Sequence, residues 1–146
     1  MITVGLVEDN TQLIRSVSRN FEFFGNVKLV FTARNGQEAL DRLEQIQPDV
    51  LLLDINMPVK DGIETAKSVS LNYPDIRIIM HTVIDAQDKI FDAIVAGATG
   101  YILKDSTPAQ LIEAIEEAVD GGAPMSPSIA RISLQLIRSK NKPQVK

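Results

Sequence analysis

Five short apolar runs, each separated from the next by a helix-length segment, constrain the fold of this chain most strongly. They are Ile2–Val7, Val27–Phe31, Val50–Leu53, Ile76–Met80 and Tyr101–Leu103. Most of them lack polar alternation, which is typical of parallel strands that are buried on both faces. The segments between them carry apolar residues at helical spacing. This alternation predicts a doubly wound α/β fold of the (βα)5 type, with a five-stranded parallel sheet between two layers of helices.

Several helix boundaries are marked by residues that cap or break helices. Gly25 follows the first helical pattern where a C-terminal stop is expected, and Asn35 with Glu38 is suited to cap the second. The third pattern ends before Pro74. The fifth pattern opens at Thr107 in a capping box, which makes it the best marked of all.

The alternating pattern ends at Gly122, and this point divides the chain. Residues 1–122 are predicted to form one domain, which is long enough to bury a sizeable core. Residues 123–139 read as a hinge rich in helix breakers followed by a linker helix. Residues 140–146 are polar and predict a flexible tail.

Composition narrows the class of protein further. The net charge of −4 is too small and of the wrong sign for this piece to hold nucleic acid by bulk charge. The chain has no cysteine, so disulfides, thiolate metal sites and cysteine nucleophiles are excluded together. Neither a signal peptide nor a membrane span is expected, and a soluble cytoplasmic protein is the default prediction.

Polar side chains stand where four of the predicted strands end. Glu8 and Asp9 follow the first strand, Asp54 the third, Thr82 the fourth and Lys104 the fifth. Ligands of parallel α/β sheets lie beyond the carboxyl ends of the strands. If the first strand is central, with the third and fourth beside it, these side chains converge on one patch.

The chemistry of such a patch points to phosphoryl transfer onto an aspartate. Three carboxylates repel one another and need a cation to share a site. Oxygen ligands at an open site favour Mg²⁺, which also neutralises phosphoryl oxygens. Lys104 adds a second positive contact and Thr82 a hydroxyl donor, so the set suits in-line transfer to a carboxylate nucleophile.

From Ile2 to about Gly122, the chain resembles the CheY-like receiver domain of two-component response regulators. The residues that carry the resemblance are Glu8-Asp9, Asp54, Asn56, Met57-Pro58, Gly62, Thr82 and the run from Gly100 to Lys104. The resemblance implies that Asp54 accepts a phosphoryl group from a sensor histidine kinase. It also implies that Asp9 and Asp54 bind Mg²⁺ through their side chains, with Asn56 contributing its backbone carbonyl and Glu8 acting through water.

The resemblance assigns further roles around the phosphoryl group. Lys104 would hold a phosphoryl oxygen, Thr82 would move toward the group, and Tyr101 would rotate inward behind Thr82 as a switch. Asn56 and Ile84 occupy positions that tune the access of the water that hydrolyses the aspartyl phosphate.

The C-terminal part of the pattern resembles the transcription-factor branch of NarL, FixJ and LuxR-type regulators. Asp105, where many receivers have proline, is frequent in that branch. The resemblance implies a homodimer formed on phosphorylation. It also implies DNA contact only through a helix-turn-helix domain that would follow Lys146.

Three alternative functions remain open at this point. An aspartyl-phosphate phosphatase needs a second carboxylate two residues after the nucleophile, where this chain has Asn56. A flavodoxin-type module needs a phosphate-cradling loop after the first strand, where Glu8 and Asp9 stand instead. A stand-alone receiver would act by protein contact alone.

His81, the single histidine, is predicted to pack on the side of its strand opposite Thr82.

Overall fold

A computed structural model describes residues 1–141 as one α/β unit. The strands are β1 (Ile2–Val7), β2 (Val27–Ala33), β3 (Val50–Leu53), β4 (Arg77–Thr82) and β5 (Gly100–Leu103). The helices are α1 (Thr11–Phe21), α2 (Gly36–Leu43), α3 (Gly62–Asn72), α4 (Gln87–Ala96), α5 (Pro108–Val119) and α6 (Pro127–Asn141). Within the described residues, no helix combines the length and the apolar character needed to cross a bilayer.

The five strands form one parallel sheet in the order β2-β1-β3-β4-β5. The predicted fold class is therefore confirmed. The arrangement with β1 at the centre is wrong: β2 pairs with the outer side of β1, so β3 becomes the central strand. The convergence expected from the strand ends survives this correction, because β1 and β4 are the two neighbours of β3.

Three strands extend beyond their apolar runs. β2 continues to Ala33, which pairs with Val7, and β4 continues to Thr82, which pairs with Leu103. β4 begins at Arg77 and β5 at Gly100. Ladder partners on neighbouring strands, rather than local hydrophobicity, thus set these ends.

The first helix ends earlier than predicted. Gly25 does not stop it, because α1 ends at Phe21 and the next three residues form tighter turns. The amide groups of Glu22, Phe23 and Phe24 each donate to the carbonyl three residues earlier. The caps at Asn35 and Thr107 are confirmed, and Thr107 forms the predicted capping box with Gln110.

The sheet separates two apolar cores, and β3 contributes to both. Leu51 and Leu53 face the core that packs against α2, α3, α4 and α6, whereas Val50 and Leu52 face the core beneath α1 and α5. All four side chains are fully buried. A strand buried on both faces explains the continuous apolar run from which the fold was predicted.

The C-terminal segment packs on this unit. Residues 124–126 lie along the outer edge of β5, and α6 packs against α4. Helix α6 runs through Asn141, two residues into the stretch for which the sequence predicts a flexible tail. The remainder of that stretch, residues 142–146, lies outside the described residues.

Candidate phosphoacceptor site

One lysine joins two buried carboxylates at the carboxyl edge of the sheet. Lys104 Nζ lies 2.6 Å from Glu8 Oε1 and 2.9 Å from Asp54 Oδ2. Glu8 is 1% exposed and Asp54 is 6% exposed. The ends of β1, β3 and β5 therefore bring Glu8, Asp54 and Lys104 into direct contact.

The backbone around Asp54 fixes its carboxylate. The amide of Asp54 donates to Val7 O at 3.1 Å, which ties the end of β3 to β1. Its Oδ1 accepts a hydrogen bond from the Ile55 amide at 2.8 Å. Gly62 lies so close that a Cβ there would stand 1.9 Å from Asp54 O, so only glycine lets α3 begin at this place.

Burial and pairing have opposite effects on the pKa of Glu8, and likewise on the pKa of Lys104. Burial raises the pKa of Glu8, although the contacts with Lys104 and with the Asn10 amide, which donates to Oε2 at 3.0 Å, counteract this. Burial alone would lower the pKa of Lys104, but its hydrogen bonds to Glu8 and Asp54 outweigh that effect and raise it. Lys104 is therefore a fixed positive charge in this site at neutral pH.

The three carboxylates predicted to bind metal lie together. Oxygen atoms of Glu8, Asp9 and Asp54 are all within 4.8 Å of one another. Asp9 is exposed to solvent and the other two are buried, so the group opens to water on one side. Hard oxygen donors with room for water match the preferences of Mg²⁺, and the residues present fit that ion.

Thr82, Ile84 and Tyr101 form a neutral hydrogen-bonded chain beside the charged group. The Ile84 amide donates to Thr82 Oγ1 at 3.3 Å, and the Tyr101 hydroxyl donates to Ile84 O at 2.6 Å. Tyr101 is only 1% exposed, so its ring is already turned inward. Burial raises the pKa of Tyr101, which keeps the hydroxyl protonated as a donor.

Asn56 and His81 stand apart from these contacts. Asn56 follows Asp54 in the loop after β3, and its side chain is exposed. His81 is buried, as predicted, and burial lowers its pKa to about 4. The alternation of β4 puts His81 on the face of Ile79, beneath α5, and Thr82 on the opposite face with Met80.

Sequence reasoning missed a strained turn next to the site. Val59 has a positive φ of 70°, and the Lys60 amide donates to Pro58 O at 2.8 Å around it. This is a three-residue γ-turn with positive φ, which is a costly conformation for a β-branched residue. The sequence carries one sign of this turn, because Val59 lies between Pro58 and Gly62, two residue types that favour turns.

Comparison with known proteins agrees with the fold. The family model described as "Response regulator receiver domain" matches residues 4–116, and the chain belongs to this family. A nitrate/nitrite response regulator homolog of Haemophilus influenzae is 34% identical over 96% of this chain and 67% of its own length. The chain is thus a receiver domain of a two-component response regulator, similar to those of NarL and LuxR type.

Solved structures show the same architecture. A LuxR-family two-component response regulator from Aurantimonas sp. has a TM-score of 0.87 and 29% identity, with 94% of this chain and 99% of that chain covered. The structure titled "Structure of two RcsB dimers bound to two parallel DNAs" has a TM-score of 0.81 and 21% identity, with 90% and 67% covered. The chain spans between about half and two thirds of the first curated relatives that it matches.

Proposed function

We propose that this receiver accepts a phosphoryl group on Asp54 from a sensor histidine kinase in the presence of Mg²⁺, and thereby controls a C-terminal transcription output. The observation that carries the proposal is the contact of Lys104 Nζ with both Asp54 and Glu8 beside a third carboxylate, Asp9. A buried carboxylate paired with a lysine and open to a metal is a nucleophile prepared for an anionic donor.

The transfer is an in-line displacement at phosphorus. An oxygen of Asp54 forms the new bond to phosphorus while the bond from phosphorus to the kinase imidazole nitrogen breaks, and the bonding electrons stay with the imidazole. Glu8, Asp9 and Asp54, with the Asn56 backbone carbonyl, would hold Mg²⁺ at this edge. The ion would neutralise the charge that develops on the phosphoryl oxygens.

Lys104 has the central electrostatic role in this scheme. It is held by two carboxylates before transfer, and the phosphoryl group offers it a more highly charged acceptor. The ammonium group would then leave Glu8 for a phosphoryl oxygen. Thr82 would donate its hydroxyl to another oxygen, and Asn56 and Ile84 would limit the water that hydrolyses the product.

The downstream partners follow from the transcription-factor relatives. We infer a receiver in residues 1–122, a linker in residues 123–139, a short tail after it, and a helix-turn-helix domain beyond Lys146 that makes the DNA contacts. The RcsB structure concerns dimers bound to DNA. A dimer of this protein formed on phosphorylation in the cytoplasm is the corresponding proposal here.

Intact-mass spectrometry tests the proposal. The protein is incubated with Mg²⁺ and acetyl phosphate beside two variants, Asp54→Asn and Asp92→Asn. Asp92 is an exposed aspartate on α4 and serves as the matched control. Wild type and Asp92→Asn are expected to gain one phosphoryl mass and Asp54→Asn none. An equal gain in Asp54→Asn would place the acceptor elsewhere.

A further inference from the structure

The phosphoacceptor site opens to solvent on the side of β1. Glu8 and Asp54 are buried, whereas Asp9, which follows Glu8 after β1, is exposed. Asp54 therefore forms the floor of the site, and Asp9 marks its open side. In an in-line displacement the attacking oxygen and the leaving group lie on opposite sides of phosphorus. With Asp54 attacking from the floor, the leaving group departs through the open side next to Asp9.

An exposed arginine stands at this open side. Arg34 follows β2, and its Nη2 donates to Thr11 Oγ1 at 3.1 Å, at the start of α1. The Glu8 amide donates to Ala33 O at 2.9 Å, so the ends of β1 and β2 are joined immediately before Arg34. The guanidinium thus reaches from β2 across the end of β1, to the residues that follow Asp9.

The charge of Arg34 is not neutralised by a neighbouring carboxylate. None of the carboxylates in residues 1–141 forms an ion pair with it, and the hydrogen bond to Thr11 goes to a neutral hydroxyl. A guanidinium carries five N–H donors in a rigid fork, so most of them stay available to an anion. Lys60, in the loop after β3, is instead bound to Ser68 Oγ at 3.0 Å.

The opposite side of the site carries charge of the other sign. Asp85 follows β4 and Asp105 follows Lys104 after β5, and both aspartates are exposed. The strand order puts β2 at one edge of the sheet and β4 and β5 on the other side of β3. An anionic group that leaves the site is therefore attracted toward Arg34 and repelled from the two aspartates.

We propose that Arg34 selects phosphodonors by the charge of their leaving group and favours acyl phosphates, whose leaving group departs as a carboxylate. This inference rests on the proposed phosphorylation of Asp54 and adds a class of small donor that the site accepts directly. Arginine recognises carboxylates through two parallel N–H donors, which gives the leaving group a matched partner.

The two small donors acetyl phosphate and phosphoramidate differ in this respect. With acetyl phosphate, an oxygen of Asp54 forms the bond to phosphorus while the bond from phosphorus to the bridging oxygen breaks, and acetate leaves with the electron pair. With phosphoramidate, the electron pair of the phosphorus–nitrogen bond stays on a protonated nitrogen, and neutral ammonia leaves. Arg34 stabilises the first leaving group and not the second.

Phosphorylation rates with these two donors test the proposal. The protein is reacted with each donor in saturating Mg²⁺ at low ionic strength, and intact mass gives the phosphoryl occupancy against time. Arg34→Gln is expected to lower the ratio of the acetyl phosphate rate to the phosphoramidate rate about fivefold. In high salt the ratio should fall by less than about twofold, because ions screen exposed charges.

Two further variants separate donor selection from other roles of Arg34. Arg34→Lys keeps the charge and is expected to restore most of the wild-type ratio. Arg19→Gln removes the same charge from the last turn of α1, at the far end of that helix, and is expected to keep the wild-type ratio. A change in Arg19→Gln as large as that in Arg34→Gln would show that the ratio reports net charge, which would overturn the inference.

The remaining outcomes distinguish this inference from the proposed function. No phosphoryl gain on the wild-type protein with either donor would overturn the proposed function. Normal gain with an unchanged donor ratio in Arg34→Gln would overturn the role of Arg34 alone. Equal slowing with both donors would show that Arg34 only supports the structure of the site, and would likewise overturn donor selection.

Discussion

The carboxyl edge of the sheet has two halves that are built differently. In one half, Glu8, Asp54 and Lys104 form short ionic contacts of 2.6 and 2.9 Å. In the other half, Thr82 and Tyr101 are joined through Ile84 by neutral hydrogen bonds. We call these the charged half and the neutral half.

Under the proposed function, this difference separates the residues that carry out the chemistry from those that respond to it. Charged partners that are buried together hold one another strongly, because losing one leaves the other unpaired in a medium of low polarity. A neutral hydrogen bond contributes only about 1 kcal/mol and can be exchanged for another at little cost. The charged half is therefore suited to fixing the nucleophile, and the neutral half to moving when the charge changes.

Removal of the lysine should have the largest effect. Lys104→Met is expected to lower the free energy of unfolding by about 4 kcal/mol at pH 7, because Glu8 and Asp54 are left without a cation. Millimolar Mg²⁺ is expected to restore part of this loss. Urea denaturation with and without Mg²⁺ measures both effects, and Lys89→Met on α4 is the control. A loss below about 1 kcal/mol would show that the ionic contacts do not hold the site.

The buried His81 gives the stability of the protein a pH dependence. Its pKa is lowered to about 4 in the folded protein, from an ordinary value of 6.5. The unfolded chain therefore binds the proton more readily than the folded protein. The free energy of unfolding keeps its full value above pH 6.5 and falls as the pH is lowered toward 4. The loss over this range is about 3 kcal/mol.

Denaturation across this range, for wild type and His81→Leu, isolates the histidine. The carboxylates contribute to both proteins, so the difference between the two curves is the quantity of interest. A constant difference between pH 7 and pH 4 would contradict the burial argument. The single histidine also allows its imidazole to be titrated directly by NMR.

The strained turn offers a gain in stability beside the charged half. Val59→Gly is expected to stabilise the protein by about 1 kcal/mol, because glycine adopts positive φ without the cost that a β-branched residue incurs. Val83 is also exposed, but it has no positive φ, so Val83→Gly should not stabilise. Thermal unfolding of the two variants gives the comparison, and equal shifts would mean that the turn stores no strain.

The neutral half should show a smaller effect on stability than the charged half. Tyr101→Phe removes one hydrogen bond to Ile84 O and is expected to cost about 1 kcal/mol in the unphosphorylated protein. Urea denaturation beside Tyr73→Phe measures it. A cost as large as that of Lys104→Met would remove the distinction between the two halves.

Local signals in the sequence predicted much of the fold and which charged side chains lie together at the carboxyl edge of the sheet. The apolar run Val50–Leu53 and the capping box at Thr107 depend on neighbours in the chain, so they could be predicted correctly. The extension of β4 to Thr82 depends on its partner Leu103, which is distant in sequence.

The contacts within the site were harder to predict. The sequence indicated Lys104 as a phosphate ligand, but its pairing with Glu8 required the relative positions of β1 and β5. The backbone hydrogen bonds between Tyr101 and residues 124–126 likewise depend on the space that Gly100 leaves for Pro124. Such clearances are properties of packed strands and not of one segment alone.

The central claim is that Asp54 is the phosphoacceptor, and one chemical measurement tests it most directly. Borohydride reduces an aspartyl phosphate to homoserine, which marks the modified position for tandem mass spectrometry. After reaction with acetyl phosphate and Mg²⁺, homoserine is predicted at position 54, and its yield is predicted to fall when Mg²⁺ is chelated. Homoserine at another aspartate, with position 54 unmodified, would contradict the account.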